Sequence, residues 1–232
     1  MNQNYNQEYF EKRDLLLPHL ADLIKNIMSE NHLKKALDVG CGTGRLVQFL
    51  NKSGFETFGC DISQKALKVA CKINKKGTIV RSQADKLPYA DNSYDLVTAI
   101  SVIEHLKPNQ VVQFFKEAKR VLKPGGFIFL VTPNFAAPLR FVQGKNWFGY
   151  HDPTHINFYT PMQLAKLTKK HGFGNVRFHF KIKYRSSFDW EFPAPFPKLP
   201  KVFKVFLIHL LFTTPLFIVR NSFWLSAQKE TR

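Results

Sequence analysis

Residues 36–46 read Ala-Leu-Asp-Val-Gly-Cys-Gly-Thr-Gly-Arg-Leu, a short apolar run that ends in three glycines at alternate positions, Gly40, Gly42 and Gly44. An apolar strand that breaks into a glycine turn and then a helix brings bare backbone against a ligand, because positions without a side chain allow close approach and unusual dihedrals. Such a turn constrains the chain to an α/β fold with a cofactor at the strand end. The spacing excludes two common cofactor classes. A dinucleotide turn needs Gly-x-Gly-x-x-Gly, and the third glycine is misplaced for it; a phosphate-cradling loop would end in Gly-Lys-Ser or Gly-Lys-Thr, which is absent. What remains is a turn with Asp38 before it and a second acid, Asp61, closing the next apolar run, where a ribose-binding acid is expected. Two carboxylates suit a cationic nucleoside.

At this point the chain resembles the class I S-adenosylmethionine-dependent methyltransferases, in the small-molecule branch that includes ubiquinone-pathway O-methyltransferases. Their first motif is similar to residues 37–44, and their second strand ends in an acid like Asp61. Ala84-Asp85 with Leu87-Pro88-Tyr89 resembles the segment that packs on adenine, and residues 93–97 resemble the fourth strand, closed by Glu104-His105-Leu106. Residues 121–126 and 127–131 look like the turn and fifth strand of the same fold. The resemblance implies a doubly wound, Rossmann-like, seven-stranded and mostly parallel sheet with an antiparallel last strand, and S-adenosylmethionine as cofactor. It also implies roles. Asp38, Gly40, Cys41 and Gly42, with Gly44, would shape the methionine side of the pocket; Asp61 with Ile62 would hold the ribose, and Asp85 with Lys86 would border adenine, Ser101 completing the set.

The rest of the chain fits one such domain. Its 232 residues, 44% hydrophobic, suffice for a single core. Cys41, Cys60 and Cys71 form no CxxC pair and are odd in number, which argues against a disulfide framework or zinc site and for a reducing cytoplasm. Residues 1–13 are polar and Asn-rich, without the apolar stretch of a secretory signal. Leucines and isoleucines at spacings of three and four predict an amphipathic helix over 14–30, expected to cover the cofactor cleft. Ser63 caps a helix running through Asn74, residues 78–80 form a short strand and 94–101 a buried one, and Pro108 opens a helix to Leu122. Thr160-Pro161-Met162-Gln163 is a helix start with a hydroxyl cap, a proline at the first position and a Gln that can reach back. That helix runs to about His171; strands follow over 175–184 and 222–228, which the resemblance pairs antiparallel. The domain thus divides into an N-terminal cap (1–35), a cofactor-binding core (36–132), an insert (133–160) and a C-terminal part (161–232). Residues 133–159 and 185–220 exceed the minimal fold, and being long and aromatic they read as the acceptor side.

Within the insert, His151-Asp152-Pro153-Thr154-His155 places two histidines four apart. Pro153 between them spoils the helical geometry that would put both rings on one metal, so no metal is expected. The resemblance places a similar Asp-x-x-His segment in the acceptor pocket, which makes His155 the first candidate general base, followed by His151 and by His105 beyond the fourth strand. A histidine near neutral pKa suits removal of a hydroxyl proton during methyl transfer.

The formal charge of +17 calls for an anionic partner. From residue 161 onward there are 13 Lys and Arg against three acids, and the same third holds the apolar run 202–219. A spanning helix needs roughly 20 apolar residues with few charges. Lys204, His209 and Pro215 interrupt this run, so an interfacial segment is expected, with Lys198, Lys201, Lys204 and Arg220 at anionic head groups and Phe203, Phe206, Leu207, Leu210 and Leu211 in the acyl boundary. The alternative is an internal subdomain or dimer face. Nucleic acid is the rival partner for so basic a chain, but the Asn/Asp-Pro-Pro-Tyr/Phe-like signature common in enzymes that methylate exocyclic base nitrogens is absent after the fourth strand. The expectation is a cytoplasmic methyltransferase, peripheral at the inner membrane face, that modifies a hydroxyl or other heteroatom of an amphipathic or anionic metabolite such as a quinone, lipid or glycan precursor. An RNA methyltransferase and a non-catalytic cofactor-binding assembly subunit are the alternatives.

Overall fold

The structure, a computed structural model, describes residues 18–179 and 221–231. The expected helix start at 14–17, the strand end at 180–184 and the apolar insert 185–220 lie outside the described residues.

The described residues form a seven-stranded sheet of order β3-β2-β1-β4-β5-β7-β6. Its strands are β1 (Lys35–Val39), β2 (Glu56–Asp61), β3 (Ile79–Arg81), β4 (Tyr94–Ile100), β5 (Leu122–Pro133), β6 (Phe173–His179) and β7 (Ser222–Lys229). The first five pair in parallel; β7 runs antiparallel to both β5 and β6. Helices α1 (Pro18–Glu30), α2 (Arg45–Lys52), α3 (Gln64–Ile73), α4 (Pro108–Val121), α5 (Pro138–Gln143) and α6 (Pro161–Lys170) connect or flank them.

The two faces of the sheet are written into the strands with period two. Ala36, Leu96, Phe129, Val131 and Trp224 join one buried cluster, while Leu37, Val39, Val97, Ala99, Ile128, Leu130 and Leu225 join another. On the first face sit Leu20, Ala21, Ile24, Ile27 and Met28 of α1 and Leu46 and Leu50 of α2. On the second sit Val111, Phe114, Phe115 and Ala118 of α4 and Leu164 and Ala165 of α6. Helix α1 was expected over the cofactor cleft, and this is corrected: its apolar stripe is spent on the sheet face, and no described residue of it lines the cavity.

Local signals set most boundaries. Ser63 caps α3 by accepting from the Ala66 N–H, and Thr160 and Gln163 form the reciprocal capping box of α6. Strand β3 lies one residue later than expected, at Ile79–Arg81, and α4 ends at Val121, since Leu122 already pairs with Tyr94 in the sheet. The chain leaves β1 toward β2 and β3, then returns to the other side of β1 as β4. Ligands of such sheets bind beyond the strand carboxyl ends at this reversal, here between Val39 and Ile100.

Candidate active site

A cavity of about 590 Å³ opens at that point, lined among others by Gly40, Gly42, Asp61, Ile62, Asp85, Ser101, His105, His151 and His155. Its floor is the glycine turn. Gly40 has φ +73°, and a Cβ there would lie 2.4 Å from Val102 Cγ2, so both conformation and space demand glycine. The turn is fastened to β2: Gly40 N and Cys41 N donate to Cys60 O, and Gly42 N donates to Asp61 Oδ2 at 2.9 Å. The other Asp61 oxygen accepts from Ser63 N at 2.7 Å. Two backbone donors thus aim this carboxylate, and a carboxylate with about four lone-pair sites can accept further hydroxyl donors.

On the next loop, Asp85 Oδ2 accepts from Gln110 Nε2 at 3.0 Å, while its buried Oδ1 has no hydrogen-bond partner. Gln110 also takes the Lys107 N–H in the α4 capping box, so one side chain ties the helix start to the cavity wall. Arg120 fixes the loop from behind, donating to Leu87 O, Tyr89 O, Asp91 and Glu117, and Glu117 accepts the Leu87 N–H.

Several residues expected in the pocket stand elsewhere. Asp38 is buried beneath the turn, where Thr98 Oγ1 donates to it at 2.6 Å. Cys41 turns away into a small core with Val47, Leu67, Ala70 and Ile79. Gly44 caps α2 with φ +75° and Lys86 is exposed; neither lines the cavity. The wall includes Asp152, the acid of the Asp-x-x-His segment expected in the acceptor pocket, and also Ser82, Gln83, Gln110, Val102 and Phe148, none of which sequence reasoning singled out; only the capping position of Gln110, three residues into α4, carried a readable signal.

The opposite wall is the insert 133–159, held by an aromatic knot. Trp147 is fully buried among Phe135, Phe148, Tyr150 and Phe158, with ring centroids 5.0–6.3 Å away. Gly149 packs flat beneath it, since a Cβ there would fall 2.1 Å from the ring. The insert docks on the short helical turn Ile103–His105 through backbone: Ile156 N and Asn157 N both donate to Glu104 O.

The docking orders the histidines. His155 Nδ1 lies 2.7 Å from Gly149 O; a carbonyl only accepts, so Nδ1 carries a proton, and Nε2 lies 3.8 Å from Asp152 Oδ2. Thr154 Oγ1 donates its single proton to Asp152 Oδ1 at 2.5 Å, so His105 Nδ1, 2.8 Å from Thr154 Oγ1, must donate to that hydroxyl oxygen. The two rings meet edge to face with centroids 4.7 Å apart. Glu104 is 1% exposed; Thr132 Oγ1 donates to its Oε2 at 3.0 Å, and Oε1 has no hydrogen-bond partner. Burial, with Asp152 nearby adding to it, pushes this carboxyl up to about 8 against the pull of its own backbone N–H and of the Thr132 and Ser101 side chains. His151 is exposed at the cavity mouth.

Residues 37–130 match the family model described as a methyltransferase domain. A ubiquinone biosynthesis O-methyltransferase of Thiobacillus denitrificans is 34% identical over 153 residues, covering 60% of this chain and 64% of the relative. A demethylmenaquinone methyltransferase of Thermotoga maritima is 27% identical over 172 residues, covering 65% and 74%. A SAM-dependent methyltransferase of Archaeoglobus fulgidus superposes with a TM-score of 0.63 at 20% identity over 96% of this chain and 98% of that one, which establishes the fold. The stretch that matches the methyltransferase domain model carries the glycine floor of the cavity, and the fold is that of the class I S-adenosylmethionine-dependent methyltransferases. Within that class its sequence lies near quinone-pathway methyltransferases, although the chain spans under two thirds of the length of several of them.

The residues present fit S-adenosylmethionine. Asp61 presents at the cavity a carboxylate aimed by two backbone amides, of the type that accepts ribose hydroxyls, Asp85 Oδ1 is a buried acceptor suited to an exocyclic amine, and the bare Gly40 leaves room for close approach to backbone.

Proposed function

We propose that the protein transfers a methyl group from S-adenosylmethionine to a hydroxyl of an amphipathic or anionic metabolite such as a quinone, lipid or glycan precursor. The observation that carries this reading is the single cavity in which the Asp61–Asp85 cofactor wall faces a histidine-lined acceptor wall. S-adenosylmethionine supplies a methyl group on a cationic sulfur that leaves as a neutral thioether. With the cofactor bound, the residues of this chain would set the acceptor hydroxyl against that methyl group, and His105, His151 or His155, which line the cavity, or solvent would take the hydroxyl proton. The protein's contribution is alignment and exclusion of water by the knotted insert. Phe148 and Tyr150, each 39% exposed, and Phe141, 72% exposed, give that insert an apolar outer surface that suits an amphipathic acceptor. The names of the quinone-pathway relatives support the same acceptor class. The basic carboxyl-terminal third is proposed to bring the enzyme to an anionic membrane surface, which sedimentation with anionic liposomes at low salt would test; among the described residues no helix is long and apolar enough to cross a membrane.

The test is calorimetric titration with S-adenosylmethionine and S-adenosylhomocysteine, with Asp61→Asn as control. Hydrogen bonds to a charged acceptor contribute about 1.5–3 kcal/mol each, so weakening two should reduce affinity on the order of 100-fold. Absence of binding by the wild-type protein, or equal binding by Asp61→Asn, would refute the reading.

A further inference from the structure

We propose that Glu104, His105 and His155 bind one divalent transition-metal cation in the acceptor wall. A carboxylate oxygen of Glu104 and one ring nitrogen from each histidine lie within 4.8 Å of one another. This is a different set from the His151–His155 pair that Pro153 rules out in the sequence, since it draws Glu104 and His105 from the short helical turn after β4 and His155 from the insert.

Three observations point to a cation. Glu104 Oε1 is buried without a hydrogen-bond partner, an arrangement that costs about 1–3 kcal/mol unless something compensates it. Both histidines spend Nδ1–H on the protein, His155 on a backbone carbonyl and His105 on Thr154, which is itself anchored by Asp152. Metal-ligating histidines characteristically donate their second N–H to a carbonyl or carboxylate-linked group, fixing ring and tautomer. Finally, two imidazoles and one carboxylate form the donor set of open catalytic sites, with remaining positions for water or substrate. Bonds of about 2.1 Å in tetrahedral array hold ligand atoms about 3.4 Å apart, so closure on an ion requires movements of about 1 Å or less per side chain. Imidazole nitrogens favour zinc, iron or cobalt over magnesium, whose preference is for oxygen.

The position gives the cation a task, and this part rests on the hydroxyl-transfer reading. A cation at this wall, beside the cavity that Asp61 shares, would lower the pKa of an acceptor hydroxyl, so that its proton passes to His151 or solvent without a dedicated base. His155 then serves as a ligand.

The experiment uses the full chain treated with chelator, dialysed, and titrated with Zn2+ by calorimetry and with Mn2+ by loss of the free-ion electron paramagnetic resonance signal. One cation per chain is expected, bound at least tenfold more weakly by Glu104→Gln and by His155→Gln. Binding of S-adenosylhomocysteine reports separately on the cofactor site. Cation binding that both variants weaken while still binding S-adenosylhomocysteine supports the site. Absence of stoichiometric binding by either ion, or unchanged binding in the variants, overturns it and leaves the methyltransferase reading untouched. Cation binding without cofactor binding would sustain the site while sinking that reading. Should Glu104→Gln fail to fold by circular dichroism, His155→Gln, altered nearer the cavity, decides the matter.

Discussion

Replacing Gly40 by alanine should damage the domain in two separable ways. At φ +73° an L-residue pays a left-handed backbone penalty of about 1–2 kcal/mol. The new Cβ would also stand 2.4 Å from Val102 Cγ2, with Val102 Cβ and Cγ1 at 3.6 Å. Carbon atoms rest about 3.5–4 Å apart, so Val102 must rotate or the turn must shift, and overpacking of this kind costs about 1–3 kcal/mol. The total of about 2–5 kcal/mol corresponds to a melting temperature lowered by roughly 5–15 °C in a chain of this size. Gly54 supplies the control: it has φ +92° with nothing within 4 Å of a built Cβ, so Gly54→Ala should show the backbone term alone. Val102→Ala removes the clashing atoms, and a double-mutant cycle with Gly40→Ala should return a favourable coupling of about 1–3 kcal/mol. Urea unfolding followed by circular dichroism measures all four stabilities, and calorimetry with S-adenosylhomocysteine should show binding weakened at least tenfold in Gly40→Ala. The reasoning is refuted if Gly40→Ala is no less stable than Gly54→Ala, or if the cycle returns no coupling.

Two other perturbations probe the supports of the site. Arg120→Leu removes the donors to Leu87 O, Tyr89 O, Asp91 and Glu117, and should cost about 2 kcal/mol and speed amide exchange of residues 87–91; Arg120→Lys should rescue little, because an ammonium cannot reproduce the fork. Unchanged exchange in that loop would contradict the role given to Arg120. His179, 2.7 Å from Ser226 Oγ, is pushed from its ordinary 6.5 down to about 4 by burial and then by Arg177. It is therefore neutral in the fold but protonated when unfolded below about 6.5, so the stability it confers is present above that pH and is lost as pH falls toward 4, by about 2 kcal/mol after allowance for its partial exposure. Urea midpoints between pH 7 and 4 should fall less steeply for His179→Gln, and parallel profiles would refute this assignment.

Much of this was legible in the chain because the responsible forces are local. The turn at 40–44 announces itself through residues that alone tolerate its dihedrals, and the capping box at Thr160 through a hydroxyl and amide three positions apart. Periodicity reported the apolar stripe of α1 but could not say which surface receives it, and the stripe went to the sheet rather than the cleft. Cys41 sits in the middle of the motif, yet the turn that brings Gly40 and Gly42 to the ligand points its side chain inward. The proton chain from His105 through Thr154 to Asp152 joins residues about 49 positions apart, a contact that only the folded topology creates.

The wall facing the cofactor is fastened to the core in part by main-chain atoms: the Ile156 and Asn157 amides on the Glu104 carbonyl, the Asn134 amide on the Asn221 carbonyl. Such seams are indifferent to which side chains the wall displays. Descendants of this chain could therefore exchange the exposed Phe141 or Ile156 for other residues, and so acquire new acceptors, while inheriting the methyl-donor pocket and its anchoring unchanged.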